Sequence, residues 1–369
     1  MSSIKLGDGL GLVKTTAPEQ KSYDLKRGDV LFIRSSVKPS GVGLTAVVEA
    51  DLPKTVYSGF LIRFRDGDAL DIGFKRHCFY AEKFRSKLIG ASSVSANTNI
   101  NQDNLKKLLI ALPPTITEQR AIATALSDVD ALLAKIEQLI AKKRDLKQAA
   151  MQQLLTGQTR LPGFCGEWST ISVSNNASLK ARIGWQALTT SEYLTSGTYY
   201  LVTGTDFVGG RVNWRTCHFV DKWRYSQDRN IQLQNGDVLV TKDGTIGKVG
   251  FVEGLNGPAT LNSGVFVIRP LQESFFPAFF FYILRSRVFD DFISKITAGS
   301  TITHLYQKDF VGFEFRAPGL AEQAAIATVL SDMDAELTAL EARRDKTRLL
   351  KQGMMQALLT GRIRLPTEK

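Results

Sequence analysis

The sequence predicts an α+β protein built as a pseudo-two-fold tandem repeat, in which two globular segments of mixed α and β character are separated by two long helices forming an antiparallel coiled coil. Three observations carry this. Residues 117–162 recur at 321–366 with a constant offset of 204 and no gap, 27 of the 46 positions being identical. Apolar residues inside both copies step by four and three, the spacing of a narrow helical seam. Upstream of each copy lie short β-rich runs divided by Gly, Asn and Asp turns.

The repeat fixes the order of segments: globular 1–115, helical 116–160, globular 161–318, helical 319–369. In the first globular segment DVLFIR and GFLIRFR read as strands; in the second TYYLVTG, DVLVTK and GVFVIRP do. The two segments echo each other more weakly than the helices. GDVL at 28–31 answers GDVL at 236–239, SGFLIRFR at 58–65 answers SGVFVIRP at 263–270, and DNLKKLLIALPP answers KDFVGFEFRAPG. The first segment has 27 residues before its GDVL and the second has 73 after Pro162, so about 46 residues are missing from the first copy, around the stretch equivalent to Tyr199–Trp214. After Pro277, Phe280, Leu284, Val288, Phe292 and Ile296 stand four apart and predict one amphipathic helix.

The long helices follow from their seams. These are Ile122, Leu126, Val129, Leu133, Ile136 and Ile140 in the first copy, and Ile326, Leu330, Met333, Leu337 and Leu340 in the second. Thr115 and Glu118 predict a capping box behind Pro113 and Pro114, and Gly157 and Gly361 stand at the left-handed C-terminal positions. A helix over about 118–156 would be roughly 58 Å long at about 1.5 Å per residue. Nothing within one copy covers that length, so the two copies are expected to pack on each other. Antiparallel pairing is favoured over parallel.

Composition narrows the function. The chain of 369 residues is 43% hydrophobic and 22% charged, a globular balance. Its net charge of +11 favours a polyanionic partner. Divided along the repeat, the excess is +8 on the globular segments and +3 on the helices, with +6 on the shorter first segment. Cys78, Cys165 and Cys217 are too scattered for a disulfide framework, and the start of the chain shows no apolar export segment, so the expected compartment is the cytoplasm. The most apolar run, Phe275 to Leu284, is about half the length of a bilayer span, and no membrane association is expected.

An enzyme reading needs a site, and the motifs fall short of one. Gly247-Lys248 resembles the end of a phosphate-binding loop, but Lys242 stands five residues before Gly247 and a valine follows Lys248. His77-Cys78, Cys217-His218 and His304 could hold zinc only if distant segments converged, so buried thiols and surface imidazoles are the better reading. No adenine-methylation motif of the DPPY or NPPF kind is present. Neither a catalytic residue nor a metal ligand is assigned.

The segments LPPTITEQRAIATALSDVDALL, LKQAAMQQLLTGQTRLPGF and their echoes APGLAEQAAIATVLSDMDAEL and LKQGMMQALLTGRIRLP resemble the two helical repeats of the specificity subunits of Type I restriction-modification enzymes. The resemblance covers the whole chain in the order recognition domain, helical repeat, recognition domain, helical repeat. GDVLVTKDGTIGKVG at 236–250, NSGVFVIRP at 262–270 and GSTITHL at 299–305 are similar to the second half of that family's recognition domains. It implies a non-catalytic reader of a bipartite, asymmetric double-stranded DNA target. Its partners would be two methyltransferase subunits and, in the full complex, two restriction subunits; S-adenosylmethionine, ATP and magnesium would be bound by those partners and no cofactor by this chain. The helices would set the spacing between half-sites.

Turn-proximal cations beside strand ends are the candidate DNA contacts: Arg34, Lys38, Lys75 and Arg76 in the first domain, and Arg182, Arg211, Lys242 and Lys248 in the second. Lys142, Lys143, Arg144 and Lys147, with Arg343, Arg344, Lys346 and Arg348, lie off or at the edge of the seam and suit either partner contact or a solvated face. A competing reading from another class is a coiled-coil assembly scaffold that never touches bases. It accounts for the heptads but not for two basic β-rich segments at matching positions.

Overall fold

The computed structural model describes residues 2–4, 11–183, 188–297 and 304–366. They fall into two compact units, residues 1–140 with 340–369 and residues 141–339. Each unit therefore joins a globular part to the first stretch of one long helix and the last stretch of the other.

The first unit contains strands β1 (Ser2–Ile4), β2 (Val30–Ile33), β3 (Ser35–Ser36), β4 (Thr45–Val48), β5 (Leu61–Phe64) and β6 (Thr98–Asn99), with helices α1 (Ile72–Cys78) and α2 (Glu82–Gly90) and the start of α3 (Ile116–Leu154). One sheet has the order β1, β4, β2, β5, with β1 parallel to β4 and the other neighbours antiparallel. Phe74, Phe79 and Leu88 of the helical layer, Val30 and Phe32 of β2, and Ile122 and Leu126 of α3 share its core with Leu358 and Leu359 from the other helical repeat.

The second unit contains β7 (Ala177–Ala181), β8 (Tyr199–Val202), β9 (Phe207–Val208), β10 (Arg211–Val212), β11 (His218–Val220), β12 (Val238–Thr241), β13 (Val249–Phe251), β14 (Ala259–Leu261) and β15 (Val265–Pro270), followed by α4 (Pro277–Ile283), α5 (Arg287–Thr297) and the start of α6 (Leu320–Leu358). Its main sheet has the order β7, β15, β12, β13, β10, β9, and a second sheet has the order β11, β8, β14. Four central strands match the first unit one for one: β15 with β5, β12 with β2, β13 with β4, and β10 with β1. The 46-residue deficit thus removes β7, β8 and β9, and with β8 the middle strand of the three-stranded sheet. The place of β10, within the Tyr199–Trp214 stretch expected to be lost, is taken by β1.

The register corrects the match drawn through Ser-Gly. Phe32 faces Ile62 and Val240 faces Phe266, so Arg65 rather than Phe64 is the counterpart of Arg269. A one-residue slip would exchange the faces of the strand, and the chemistry agrees with the strand register. Asp29 is buried and takes Arg65 bidentately at 2.6 Å from both nitrogens, while Asp237 takes Arg269 at 2.6 and 2.7 Å. Each aspartate also caps a turn, accepting from the Lys26 and Gln234 amides at 2.8 Å. Gly28 and Gly236 precede them at φ +90° and +94°, a conformation that only glycine adopts without strain. The GD of each GDVL is therefore a structural clasp.

Both long helices span 39 residues, and within each unit their stretches run antiparallel. In the first unit, Glu118 meets Arg364, Asp130 meets Lys351 and Glu137 meets Arg348, so one number falls as the other rises. In the second, Glu322 meets Arg160, Asp334 meets Lys147 and Glu336 meets Lys143. Two of these pairs are the same pair with the copies exchanged: Glu118–Arg364 with Glu322–Arg160, and Asp130–Lys351 with Asp334–Lys147. The Arg364 guanidinium holds the Glu118 carboxyl below its ordinary range. The glutamine beside each glutamate serves its own domain. Gln119 accepts from the Asp71 amide and Gln323 from the Phe276 amide, both at 2.8 Å, at the starts of the matching helices α1 and α4.

Of the seam residues, Ile122, Leu126, Ile136, Ile140, Ile326 and Leu330 are buried, and Val129, Leu133, Met333, Leu337 and Leu340 are half-buried. Gly157 and Gly361 take φ +72° and +73° just past the helix ends. Two expectations are corrected. Thr115 accepts from the Glu118 amide at 3.2 Å, but Arg364 holds the Glu118 carboxylate, so the reciprocal half of the capping box is not made. The single helix expected after Pro277 is two, α4 and α5. Ser286 breaks it by donating to the Ile283 carbonyl at 2.7 Å and accepting from the Val288 amide at 3.3 Å. Helix α4 is buried on every face from Phe279 to Ile283, whereas α5 is amphipathic. Among the described residues, no helix is long and apolar enough to cross a membrane.

Candidate nucleic-acid interface

The strand of each GDVL motif ends at a cation, Arg34 after β2 and Lys242 after β12. Four backbone hydrogen bonds frame that cation identically in the two units. The Arg34 amide donates to the Phe60 carbonyl at 2.9 Å, and the Lys242 amide to the Gly264 carbonyl at 2.9 Å. The Arg34 carbonyl accepts from Ile100 at 3.0 Å, and the Lys242 carbonyl from Leu305 at 2.7 Å. Ile33 donates to Leu44 and Thr241 to Lys248, both at 2.9 Å, while Gly43 donates back to Ile33 and Gly247 to Thr241. Gly43 and Gly247 both lie at positive φ. A Cβ on Gly43 would meet Leu88 of α2, and one on Gly247 would meet the equivalent Ile293 of α5.

From this common frame the loops diverge. Residues 34–44 make an eleven-residue passage carrying exposed Arg34 and Lys38; residues 242–248 make a seven-residue one carrying Lys242, Asp243 and Lys248. The next residue on each loop bridges the same partner strand: Ser35 pairs with Asn99 in the first unit, and Asp243 with His304 in the second. The Lys242 ammonium lies 5.7 Å from the centre of the Phe266 ring. The Lys248 ammonium donates to the Gly204 carbonyl at 2.8 Å and lies 5.7 Å from the Phe207 ring. That contact ties the 242–248 loop to the loop following β8.

The remaining candidates are occupied within the fold. Lys75 is buried, donating to the Gly28 carbonyl at 2.9 Å and to Asp66 at 2.5 Å. Arg182 is 2% exposed and donates to the Leu261 carbonyl, Thr260 and Gln227; burial lowers its pKa. Neither cation is presented to a ligand, because each is buried and spends its donors inside the fold; in sequence, such a site looks the same as a place beside a turn. Arg76 pairs with Glu49, and Arg211 with Glu253, both half-exposed. Off the seam, Lys143, Lys147 and Arg348 pair across the helices and Arg344 with its neighbour Asp345. The GSTITHL similarity falls mostly on residues 299–303, which lie outside the described residues.

His77 and Cys78 are buried in α1, Cys217 is buried and His304 is bonded to Asp243. Among the described residues, no three His, Cys, Asp or Glu side chains are grouped to hold a metal ion. The His77 Nε2 lies 3.3 Å from the Ser127 hydroxyl and its Nδ1 has no partner. Burial pushes this imidazole down to about 4, against the pull of Asp130. Its counterpart in the second unit is Tyr282, whose hydroxyl donates to Asp334 at 2.9 Å.

A model of the Type I restriction modification DNA specificity domain matches residues 4–143 and 183–349. The chain belongs to that family. Both halves of this specificity subunit are matched, as its duplicated frame requires. It is 24% identical over 307 residues to the MjaVIII specificity subunit of Methanocaldococcus jannaschii, covering 78% of this chain and 70% of that one. It is 25% identical over 373 residues to the putative MjaX specificity subunit of the same organism, covering 97% and 84%. In fold it is similar to the specificity subunit from M. genitalium, with a TM-score of 0.58 at 15% identity over 91% of this chain and 84% of that one. A second Type I restriction-modification structure, described in terms of complex assembly and conformational transition, gives 0.56 at 17% identity over 92% and 83%. These likenesses establish a shared fold; family membership rests on the sequence match.

Proposed function

We propose that this non-catalytic specificity subunit reads a bipartite DNA target with its two globular segments, 1–115 and 161–318, each contacting one half-site. The observation that carries this reading is the duplicated frame: one backbone scaffold, used twice, that presents a cation at its strand end and unlike polar side chains beside it. Arg34, Lys38, Lys242 and Lys248 are the proposed contacts, the first two exposed and the last two half-buried. Phosphate contacts would supply salt-dependent affinity, and base contacts about 1–3 kcal/mol of discrimination per wrong base pair. A scaffold that never touches bases would leave this pattern of kept backbone and varied surface without a use.

Two methyltransferase subunits, and two restriction subunits in the full complex, are the proposed partners. The support is again duplication. A cleft of about 350 Å³ in the second unit is lined by Leu155, Thr156, Ile283 and Phe315, and one of about 310 Å³ in the first by the equivalents Leu359, Thr360, Cys78 and Ile110. Leu146 and Leu350, also equivalent, are both exposed on the long helices. A partner that binds twice has two matching places to bind. The test is a DNA-binding assay on the complex with its methyltransferase across a salt series, against duplexes of varied sequence. Salt-dependent and sequence-selective binding is expected; binding that ignores sequence would overturn the reading.

A further inference from the structure

The duplicated frame also locates where the two readers differ. Around each strand-end cation the two units keep the same kinds of residue: Arg34 and Lys242 as cations, Ile100 and Leu305 as apolar anchors, Gly43 and Gly247 as left-handed turns. The bridged pair next to the cation is not kept. It is Ser35 with Asn99 in one unit and Asp243 with His304 in the other.

Nothing in the fold requires this chemistry. The His304 side chain is 54% exposed and that of Asp243 36%, and an exposed pair of this kind adds only about 0–1 kcal/mol to stability. A scaffold used twice must differ at its reading positions if the two half-sites differ. We propose that His304, held by Asp243, and Asn99, its equivalent, are specificity-determining residues, each reading a base edge in its own half-site. This rests on the DNA-reading function proposed above.

The geometry states what each would read. His304 bonds to Asp243 through Nδ1, and a carboxylate opposite Nδ1 keeps the proton there. In the neutral ring Nε2 is then an acceptor, which suits the exocyclic amino group of adenine or cytosine in the major groove. Asn99 gives one amide hydrogen to the Asn97 carbonyl at 3.0 Å, leaving its oxygen and second hydrogen for the acceptor and donor edge of adenine.

The test uses the full chain assembled with its methyltransferase, with methylation read out on a library of randomised duplexes. His304→Ala is expected to relax preference at one base pair of one half-site by about 5- to 150-fold, the equivalent of roughly 1–3 kcal/mol, with the other half-site unchanged. Asn99→Ala is expected to do the same in the other half-site. His304→Gln keeps a polar head, and Asp243→Asn frees the ring proton; both should change the preferred base at the His304 position. Uniform loss of methylation at an unaltered target would make these residues phosphate or structural contacts and overturn the proposal, as would no change at all. If the wild-type complex itself methylates without sequence preference, the DNA-reading function fails instead.

Discussion

Removing the carboxylate of Asp237 tests the reading of GDVL as a clasp. Asp237 is 2% exposed, and its two oxygens take Arg269 Nε at 2.6 Å, Arg269 Nη2 at 2.7 Å and the Gln234 amide at 2.8 Å. Breaking a buried ion pair costs about 3–5 kcal/mol. Arg269 keeps two carbonyl acceptors, Asn230 and Gln232, and its side chain is 24% exposed, which puts the loss at the lower end. The stranded Gln234 amide adds about 1 kcal/mol, so Asp237→Ala should cost roughly 4 kcal/mol. Asp29→Ala should cost less, about 2 kcal/mol, because Arg65 is also bonded to Asp24 and retains a carboxylate partner. Urea unfolding of the two variants measures both. An Asp29→Ala loss equal to or larger than that of Asp237→Ala would refute the reasoning, and so would a loss of DNA binding without a loss of stability, which would make GD a binding motif.

Three further outcomes follow from the duplication. His77 is held neutral, with a pKa of about 4 against an ordinary 6.5. The unfolded chain therefore takes up a proton first as pH falls, and the stability present above 6.5 declines by up to about 3 kcal/mol toward pH 4. His77→Tyr, which installs the residue used at Tyr282, should flatten this decline in a pH series of thermal melts. Gly43→Ala should cost about 2–4 kcal/mol, since φ is +64° and the new Cβ would come within 2.6 Å of both Leu88 methyls; Gly247→Ala should cost less, its nearest contact being 3.3 Å from Ile293. Chemical denaturation ranks the two. Arg34→Ala and Lys242→Ala should each lower the salt slope of DNA binding by about 1, and an unchanged slope in titrations at several salt concentrations would remove that residue from the phosphate contacts.

Much of the architecture was legible because it is written twice. The repeat gave the segment order, and the seam residues and Gly157 and Gly361 gave the helix positions, since periodicity and left-handed glycines are local signals. Long-range pairings were not legible. Nothing near Arg182 in sequence shows that Leu261 and Thr260 will enclose it, nor does the sequence around Lys75 mark Asp66 as its partner. The Ser-Gly dipeptides suggested a match one residue out of register, which only the pairing of β2 with β5 and of β12 with β15 corrects. Glu118 looked like half of a capping box because Arg364, its actual partner, is 246 residues away. The duplication did hold a signal for that pairing: the glutamate of EQ and the arginine of RLP recur together in both copies, and each glutamate binds the other copy's arginine.

The central claim is that one scaffold, used twice with unlike surfaces, reads two unlike half-sites. Methylome sequencing of a host with and without this chain and its methyltransferase tests it most directly. The account predicts a new methylated motif made of two different half-sites separated by a fixed, unspecified gap. A single contiguous motif, a palindrome with identical halves, or no new motif would contradict it.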